Sequence, residues 1–189
     1  MLLLTKEEAK YIPFSHQQLQ NILQHFSIPE GSTRAKSIEQ TLHVCRAKHL
    51  KGETKSCPTS LESMLDFVQG LLGPKLKILS TNHLTRSKAI FQNYTIQEKP
   101  EFVAVDPKMV ACHAMPYPYE VFFFHIPDGA KPFKVSLVGD NGDMTESIGV
   151  CYKNTSEWSP NHIAFRVLGT KPGAEVCHFL CANNLFVPI

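Results

Sequence analysis

The sequence of 189 residues lacks the features that several functional classes require. No run of apolar residues reaches the ~18 that a membrane-spanning helix needs. The formal net charge is only +2 and no basic cluster occurs, which argues against a nucleic-acid-binding protein. There is no Cys-x-x-Cys zinc spacing, no glycine-rich phosphate loop, no nucleophile elbow and no pair of catalytic carboxylates. If the protein is an enzyme, we expect its chemistry to be metal chemistry.

The N-terminus also lacks the pattern of a secretory signal peptide. Its apolar run comprises only Leu2, Leu3 and Leu4, against the ~7–15 residues of a signal-peptide core. We therefore expect either an intracellular protein or a chain without its natural beginning. Two N-glycosylation sequons, at Asn93 and Asn154, favour the second alternative, because such sites are used only in secretory proteins.

Composition and periodicity predict a helical first part. A content of 43% hydrophobic and 19% charged residues is ordinary for a globular domain. Apolar residues recur at helical spacing from Ser15 until Pro29, and a second helix is predicted from Ser32 to about His49. A third helix is predicted to begin with a capping box between Thr59 and Glu62 and to end at Gly73. Its predicted buried stripe is Leu61, Met64, Leu65, Val68, Leu71 and Leu72.

After Lys75 the pattern changes to short β-branched or aromatic runs, which are typical of strands. Asn141-Gly142 is the strongest hairpin signal, because this dipeptide tolerates positive φ at both central positions. We therefore predict a single α+β domain over 1–189, with a helical part to about 75 and a β-rich part over 76–189. The N-terminal helices are predicted to pack on a mainly antiparallel sheet. The predicted strands are 76–81, 91–97, 102–105, 108–113, 120–125, 133–138, 147–152, 163–168 and 176–180.

Thiols and imidazoles are concentrated in the second half of the chain. Four of the nine histidines and four of the six cysteines lie between Cys112 and Cys181. Neighbouring residues of a strand face opposite ways, so Cys112 and His113, like Cys177 and His178, should separate sulfur and imidazole onto two faces. Neutral imidazoles suit copper, zinc, iron or nickel. The alternative is a set of buried, hydrogen-bonded histidines. We interpret the other five histidines as surface residues.

Two further residue groups have structural interpretations. Cys45 and Cys57 are predicted to form a disulfide, worth about 2–3 kcal/mol through the unfolded chain, although two independent buried thiols are the alternative. Trp158 is the only tryptophan and is predicted to pack over the end of a strand.

The spacing of these residues resembles the four Cys-His repeats of the plant BURP domain. The four pairs are Cys112-His113, Phe124-His125, Cys151-Tyr152 and Cys177-His178, separated by 10, 25 and 24 residues. The sequences of residues 12–15, 57–64, 117–122, 155–165 and 171–180 are also similar to family motifs. The resemblance covers nearly the whole chain, except for the opening segment, signal peptide and variable region that precede the family's domain.

The resemblance implies a secreted plant protein of the apoplast, cell wall or vacuole, active in seed or pollen development or in stress response. Members include a non-catalytic polygalacturonase subunit and copper-dependent cyclases that crosslink Tyr or Trp side chains of peptides. Its implied partners are a wall polysaccharide, a wall enzyme or a peptide substrate, and we expect a monomer. The implied copper ligands are His113, His125, His162 and His178, with a weak contribution from Tyr152.

Two departures from the family pattern argue against catalysis. Phe124 stands where the second repeat has Cys, and Tyr152 stands where the third repeat has His. The first change leaves one of Cys112, Cys151 and Cys177 odd, and Cys181 is a candidate substitute partner. We therefore expect a non-catalytic BURP protein, with a copper-dependent peptide cyclase as the alternative and a degenerate product as a third reading.

Overall fold

A computed structural model describes residues 3–48, 54–85, 87, 91–103, 109–126 and 129–180, and the backbone of 185–188. It contains helices and antiparallel strands, so the predicted α+β class is confirmed at that level. Contacts divide the chain into two compact units. The helical unit comprises Met1–His49, Thr54–Leu76 and Cys112–His125; the sheet unit comprises Leu50–Glu53, Lys77–Ala111 and Ile126–Ile189. The assignment of a single domain over 1–189 stays a prediction.

The helical unit is organised around a core contributed by helices and by the segment 115–121. Ile22, Ile38 and Leu42 are almost fully buried, together with Tyr119 and Val121. Its helices are α1 (Lys6–Ala9), a 3₁₀ turn (His16–Gln18), α2 (Leu19–His25), α3 (Thr33–Arg46) and α4 (Leu61–Leu72). Its strands are β1 (Thr54–Ser56), most of β7 (Val121–Ile126) and the end of β6 (Met109–Met115), with β7 between β1 and β6.

Local capping explains where the helices begin, and it corrects one prediction. The Ser32 hydroxyl accepts a hydrogen bond from the amide of Ala35 at 3.1 Å, so α3 starts where the sequence predicts. Helix α4 is capped by Ser60 and Ser63, not by Thr59 and Glu62. The Glu62 carboxylate instead accepts from the amide of Lys6, at the first turn of α1, and is therefore not available to its own cap.

Two of the six residues predicted for the buried stripe of α4 are exposed. Leu61 and Leu65 are 44% and 46% exposed, so their assignment to the buried stripe is wrong. The least exposed residues are Val68 and Leu72, one helical turn apart. The buried face includes Phe67, whose ring packs edge-on against Phe124 at a centroid distance of 6.0 Å. The apolar residues of α4 all lie on one side of the helix, so the hydrophobic pattern alone does not tell which of them the fold leaves exposed.

The sheet unit is built on the long antiparallel hairpin of β8 (Ala130–Gly139) and β9 (Met144–Tyr152). Strand β10 (Val176–Phe179) pairs with β9, and β4 (Tyr94–Ile96) pairs with β8. Short strands β3 (Asn82–His83) and β5 (Glu101–Phe102) pair with β9 and β8, and β11 (Leu185–Pro188) pairs with β2 (Leu79–Ser80). Helix α5 (Ile163–Leu168) lies between β9 and β10 in the chain.

The predicted hairpin is present, but its turn is longer than a two-residue Asn-Gly turn. The last pair of the ladder is Val138 with Met144, and the amide of Gly139 donates to the carbonyl of Asp143 at 2.7 Å. Gly142 has φ of 85°, whereas Asn141 is not among the described residues with positive φ. The hairpin prediction is confirmed, and of the two residues Gly142 is the one that adopts the positive φ that Asn-Gly tolerates.

The predicted strand over 163–168 is a helix, which corrects the sequence interpretation. The side chain of His162 caps its first turn, since Nδ1 accepts from the amide of Ala164 at 3.2 Å. Gly169 ends the helix in the left-handed conformation, with φ of 63°. Phe165 is buried, while Ile163 and Val167 are exposed. The apolar run resembles a strand, but caps at both ends make a helix of it.

Alternation along β9 separates two faces of the sheet. Ile148, Val150 and Tyr152 lie on what we call the core face, where they pack with Leu180 and Trp158. Cys151 lies on the opposite face, which we call the disulfide face, together with Phe133 of β8. None of the helices in the described part of the chain is sufficiently long and apolar to span a bilayer.

Candidate functional site

A disulfide joins the two central cysteines of the sheet unit. Cys151 and Cys177 are directly opposite each other in the register of β9 and β10, with Cα atoms 4.0 Å apart. The sequence left open which two of the three repeat cysteines are joined, and in the structure they are Cys151 and Cys177. The disulfide also holds β10 against the edge of the long hairpin.

Strand β10 also carries an imidazole, that of His178, on the core face. His178 is opposite Val150 in the register, and its ring stacks on Tyr152 at a centroid distance of 5.9 Å and an interplanar angle of 12°. Tyr152 is only 6% exposed and contacts Trp158 edge-on at 4.9 Å. We call Tyr152, Trp158, His162 and His178 the aromatic cluster. Sulfur and imidazole thus occupy opposite faces of β10, as alternation requires.

His162 joins the aromatic cluster from the start of α5. Its ring lies 4.5 Å from that of Trp158. Burial, and then the charge of His178, lower the pKa of His162. Because Nδ1 of His162 accepts the helix-capping hydrogen bond, Nε2 is the nitrogen that could bind a metal.

The tautomer of His178 follows from a similar contact. Its Nδ1 lies 3.2 Å from the carbonyl oxygen of Phe179, to which it must donate. This tautomer directs the lone pair of a neutral ring to Nε2, the arrangement that an imidazole metal ligand needs. The aromatic cluster therefore offers two imidazole Nε2 atoms, one from each of His162 and His178, beside one phenol.

A second pair of imidazoles lies in the helical unit. His113 of β6 and His125 of β7 place their Nε2 atoms 3.2 Å apart, with ring centroids at 5.3 Å. The ring of Phe123 stacks on that of His125 at 5.0 Å. The ammonium of Lys55 lies 5.8 Å from the centre of the Phe123 ring. The two strands thus bring together side chains that are 12 residues apart.

The donor chemistry of the His113–His125 pair fits a transition metal. Ring nitrogens bind such ions at about 2.0–2.1 Å, so two ligands of one ion lie at most ~4 Å apart. The Nε2 separation of 3.2 Å is within that limit, but it is also a hydrogen-bond distance. Without a metal, one Nε2 donates a hydrogen bond to the other, as in the alternative of hydrogen-bonded histidines. The contacts within each unit join His113 with His125 in the helical unit and bring His162 and His178 to the aromatic cluster in the sheet unit. A single set of four ligands stays a prediction.

The two departures from the Cys-His pattern have clear structural surroundings. Phe124, at the cysteine position of the second repeat, is 3% exposed and packs against Phe67 and Phe122. Cys112 is completely buried. Of the three repeat cysteines, one of which we expected to be odd, Cys112 is the one outside the Cys151–Cys177 disulfide. Cys181, the candidate substitute partner, lies outside the described residues.

Sequence analysis did not identify the role of Thr155, which lies next to the aromatic cluster in the chain. Its side chain is fully buried. The hydroxyl donates to the carbonyl of Ala174 at 2.7 Å and accepts from the amide of Gly173 at 3.1 Å. These bonds hold the segment that leads to Trp158 against the turn that precedes β10. The signal in the sequence was its place in the segment 155–165, which is similar to a family motif.

The remaining predicted residues are two cysteines and two sequon asparagines. Cys45 and Cys57 form a disulfide in the helical unit, the pairing that the sequence favoured. Both sequon asparagines are exposed. The Asn93 amide donates to Asp140, whereas the Asn154 side-chain oxygen accepts from the amide of Ser156. Glycosylation at Asn93 and Asn154 stays a prediction.

Comparison with known proteins identifies the family. The sequence model of the BURP domain matches residues 1–187. The chain is 42% identical to BURP domain-containing protein 5 of Oryza sativa subsp. japonica over 180 residues, which are 94% of this chain and 55% of that protein. It is 40% identical over 193 residues to BURP domain protein USPL1 of Arabidopsis thaliana, which are 97% of this chain and 68% of that protein. It is 39% identical over 178 residues to BURP domain protein RD22 of the same plant, which are 94% of this chain and 45% of that protein. The chain thus spans only about half the length of some of these relatives. It belongs to the BURP domain family.

Proposed function

We propose that the protein is a secreted plant BURP protein of the apoplast, cell wall or vacuole that acts without catalysing a reaction. Its role would be in the cell wall, in seed or pollen development, or in stress response. Its partners would be a wall polysaccharide or a wall enzyme, and the chain would act as a monomer. Family membership supports the general role, and one feature of the aromatic cluster supports the absence of catalysis.

That feature is the packing of Tyr152 at the position where the third repeat has an imidazole. The phenol ring is 6% exposed and contacts both Trp158 and His178. A phenol has an ordinary pKa of about 10 and binds a metal well only as phenolate, so it is a poor replacement for a neutral imidazole. Tyr152 therefore contributes aromatic packing where a catalytic member would contribute a ligand.

The alternative is a copper-dependent peptide cyclase, and the geometry of the His113–His125 pair favours it. Copper, when bound, supplies the one-electron redox chemistry for joining aromatic side chains. His113 and His125 would hold the ion through their Nε2 atoms, with His162 and His178 as further ligands. The substrate would be a Tyr- or Trp-containing peptide from another chain.

Equilibrium titration of metal-free protein with Cu(II) tests the copper site. The alternative requires the wild type to bind at least about tenfold more tightly than a His113→Ala/His178→Ala variant, since each lost ligand weakens a site by at least that factor. His25→Ala is the matched control, because His25 lies on α2 and packs on Phe26. Equal affinities of the wild type and the double variant would eliminate the cyclase.

The non-catalytic proposal is tested separately, with copper-loaded protein and a Tyr- or Trp-containing peptide. We expect the mass of the peptide to be unchanged. Loss of two hydrogens from the peptide would contradict the proposal. A further variant is measured in the Cu(II) titration described above. Tyr152→His should raise the copper affinity at least about tenfold, because it restores an imidazole beside His178.

A further inference from the structure

We propose that Cys151, Cys177 and Glu175 form a thiolate metal site when the Cys151–Cys177 disulfide is reduced. The two sulfur atoms and a carboxylate oxygen of Glu175 all lie within 4.8 Å of one another. The group lies on the disulfide face and at the start of β10, opposite the imidazole of His178. It is therefore a different donor set from the imidazoles of the aromatic cluster.

The sheet holds the two sulfurs together without the help of their bond. Cys151 and Cys177 are a directly opposed pair inside the β9–β10 ladder. Pairs on both sides, Val176 with Tyr152 and Phe179 with Gly149, keep the two strands in register. Strand β9 is in turn paired along its whole length with β8. Breaking the disulfide thus leaves two thiols side by side on a paired backbone.

Access to the site comes from the β10 side. Cys177 and Glu175 are exposed, whereas Cys151 is 6% exposed. Glu175 takes part in no ion pair among the described residues. Its carboxylate can therefore approach a metal without breaking another charge interaction, and both a reductant and an ion can reach Cys177 from solvent.

The proposed conversion balances in atoms and electrons. A dithiol reductant supplies two electrons and two protons to the disulfide, forms its own disulfide, and leaves thiols on Cys151 and Cys177. A divalent ion then binds both sulfurs as thiolates and releases the two protons to solvent. Glu175 supplies the third ligand as a carboxylate, and water completes the coordination.

The donor set determines which ions fit. Two thiolates and one carboxylate suit Zn(II) and its softer analogue Cd(II), which prefer sulfur ligands more than the hard ions Mg(II) and Ca(II) do. Because the ion binds only the reduced protein, it should shift the thiol–disulfide equilibrium toward the reduced form by mass action. The site would therefore couple metal supply to the cross-link that holds β10.

Cadmium titration after reduction tests the proposal. A trialkylphosphine reduces the disulfide, taking its oxygen from water, and Cd(II) binding is followed by thiolate-to-metal charge-transfer absorbance. We expect the reduced wild type to bind one more ion per chain than a Cys151→Ser/Cys177→Ser variant, which keeps all the other cysteines. Equal stoichiometry would overturn the proposal. Circular dichroism checks that the double variant is folded.

A second variant tests the third ligand without altering the cross-link. Because Glu175→Gln leaves both cysteines in place, this variant can fold with its disulfide formed before it is reduced for the titration. After reduction we expect its Cd(II) affinity to be lower by about tenfold or more. An affinity equal to that of the wild type would remove Glu175 from the site and overturn the proposal as stated. Before reduction, the wild type should show no more charge-transfer absorbance than the Cys151→Ser/Cys177→Ser variant, and a stronger band than that of the variant would equally contradict the proposal.

Discussion

Replacing Thr81 by valine should destabilise the sheet unit strongly, although the two side chains have nearly the same shape. The Thr81 hydroxyl donates to the carbonyl of Leu180 at 2.7 Å and accepts from the amide of Ile148 at 3.1 Å. All three residues are buried. Through these bonds one side chain connects β9 to the residue that follows β10, the strand that carries Cys177 and His178.

The expected magnitude follows from those two bonds. A buried donor or acceptor without a partner costs about 1–3 kcal/mol. Thr81→Val leaves one of each, and the hydroxyl of Ser147, 3.5 Å from that of Thr81, can compensate only in part. We therefore expect the free energy of unfolding to fall by about 2–4 kcal/mol. Urea denaturation without reductant, with both disulfides intact, measures this change.

Thr95→Val is the matched control for this prediction. Thr95 lies in the exposed strand β4, so the same change of hydroxyl to methyl should alter the free energy of unfolding by less than about 0.5 kcal/mol. If Thr81→Val were as mild as Thr95→Val, the reasoning that the buried hydroxyl bridges the two strands would be refuted.

Two further predictions concern packing and pH. Gly149→Ala should lower the free energy of unfolding by about 1–3 kcal/mol, because an added Cβ would overlap the Phe133 ring. In α4 the added Cβ of Gly70→Ala meets open space, so this variant should raise the free energy of unfolding by about 0.5–1 kcal/mol. Thermal unfolding compares the two variants. Hydrogen bonds to the Asp143 carboxylate, from Ser87 first and then from Asn141 and Gln92, lower the pKa of Asp143 from 3.8 to about 2. Because the pKa of Asp143 is lower in the folded protein, the resulting stabilisation should be complete above pH ~4 and lost as the pH falls toward 2. The urea midpoints of wild type and Asp143→Asn should therefore converge near pH 2. A difference that stays constant with pH would exclude this contribution of Asp143.

Local chemistry explains which parts of the fold the sequence could predict. The hydroxyl of Ser32 and the glycine after α4 act on the residues beside them, so these helix limits were predictable. The β8–β9 hairpin was recognisable from alternation and from Asn141-Gly142, although the form of its turn was not. Helix α5 was missed because the cap comes from a histidine, His162, which is not one of the usual capping residues.

The candidate site depended more on non-local information. Its residue types and their spacing identified the four repeat positions, but strand register decides which side chains meet. The pairing of Cys151 with Cys177 and the approach of His113 to His125 both require the register of neighbouring strands. The contact of Phe67 with Phe124 and the exposure of Leu61 and Leu65 likewise depend on residues outside α4, which no pattern within the helix encodes.

The peptide experiment tests the central proposal, the absence of catalysis, most directly. Copper-loaded wild type is incubated in air, so that dioxygen can accept the two electrons and two protons of a crosslink. The samples contain a Tyr- and Trp-containing peptide or, as a control, the same peptide carrying Phe at those positions. Because Tyr152 packs its ring where an imidazole ligand would lie, we expect mass spectrometry to find both peptides unchanged. A loss of two hydrogens from the Tyr- and Trp-containing peptide alone would contradict the proposal and identify the protein as a cyclase.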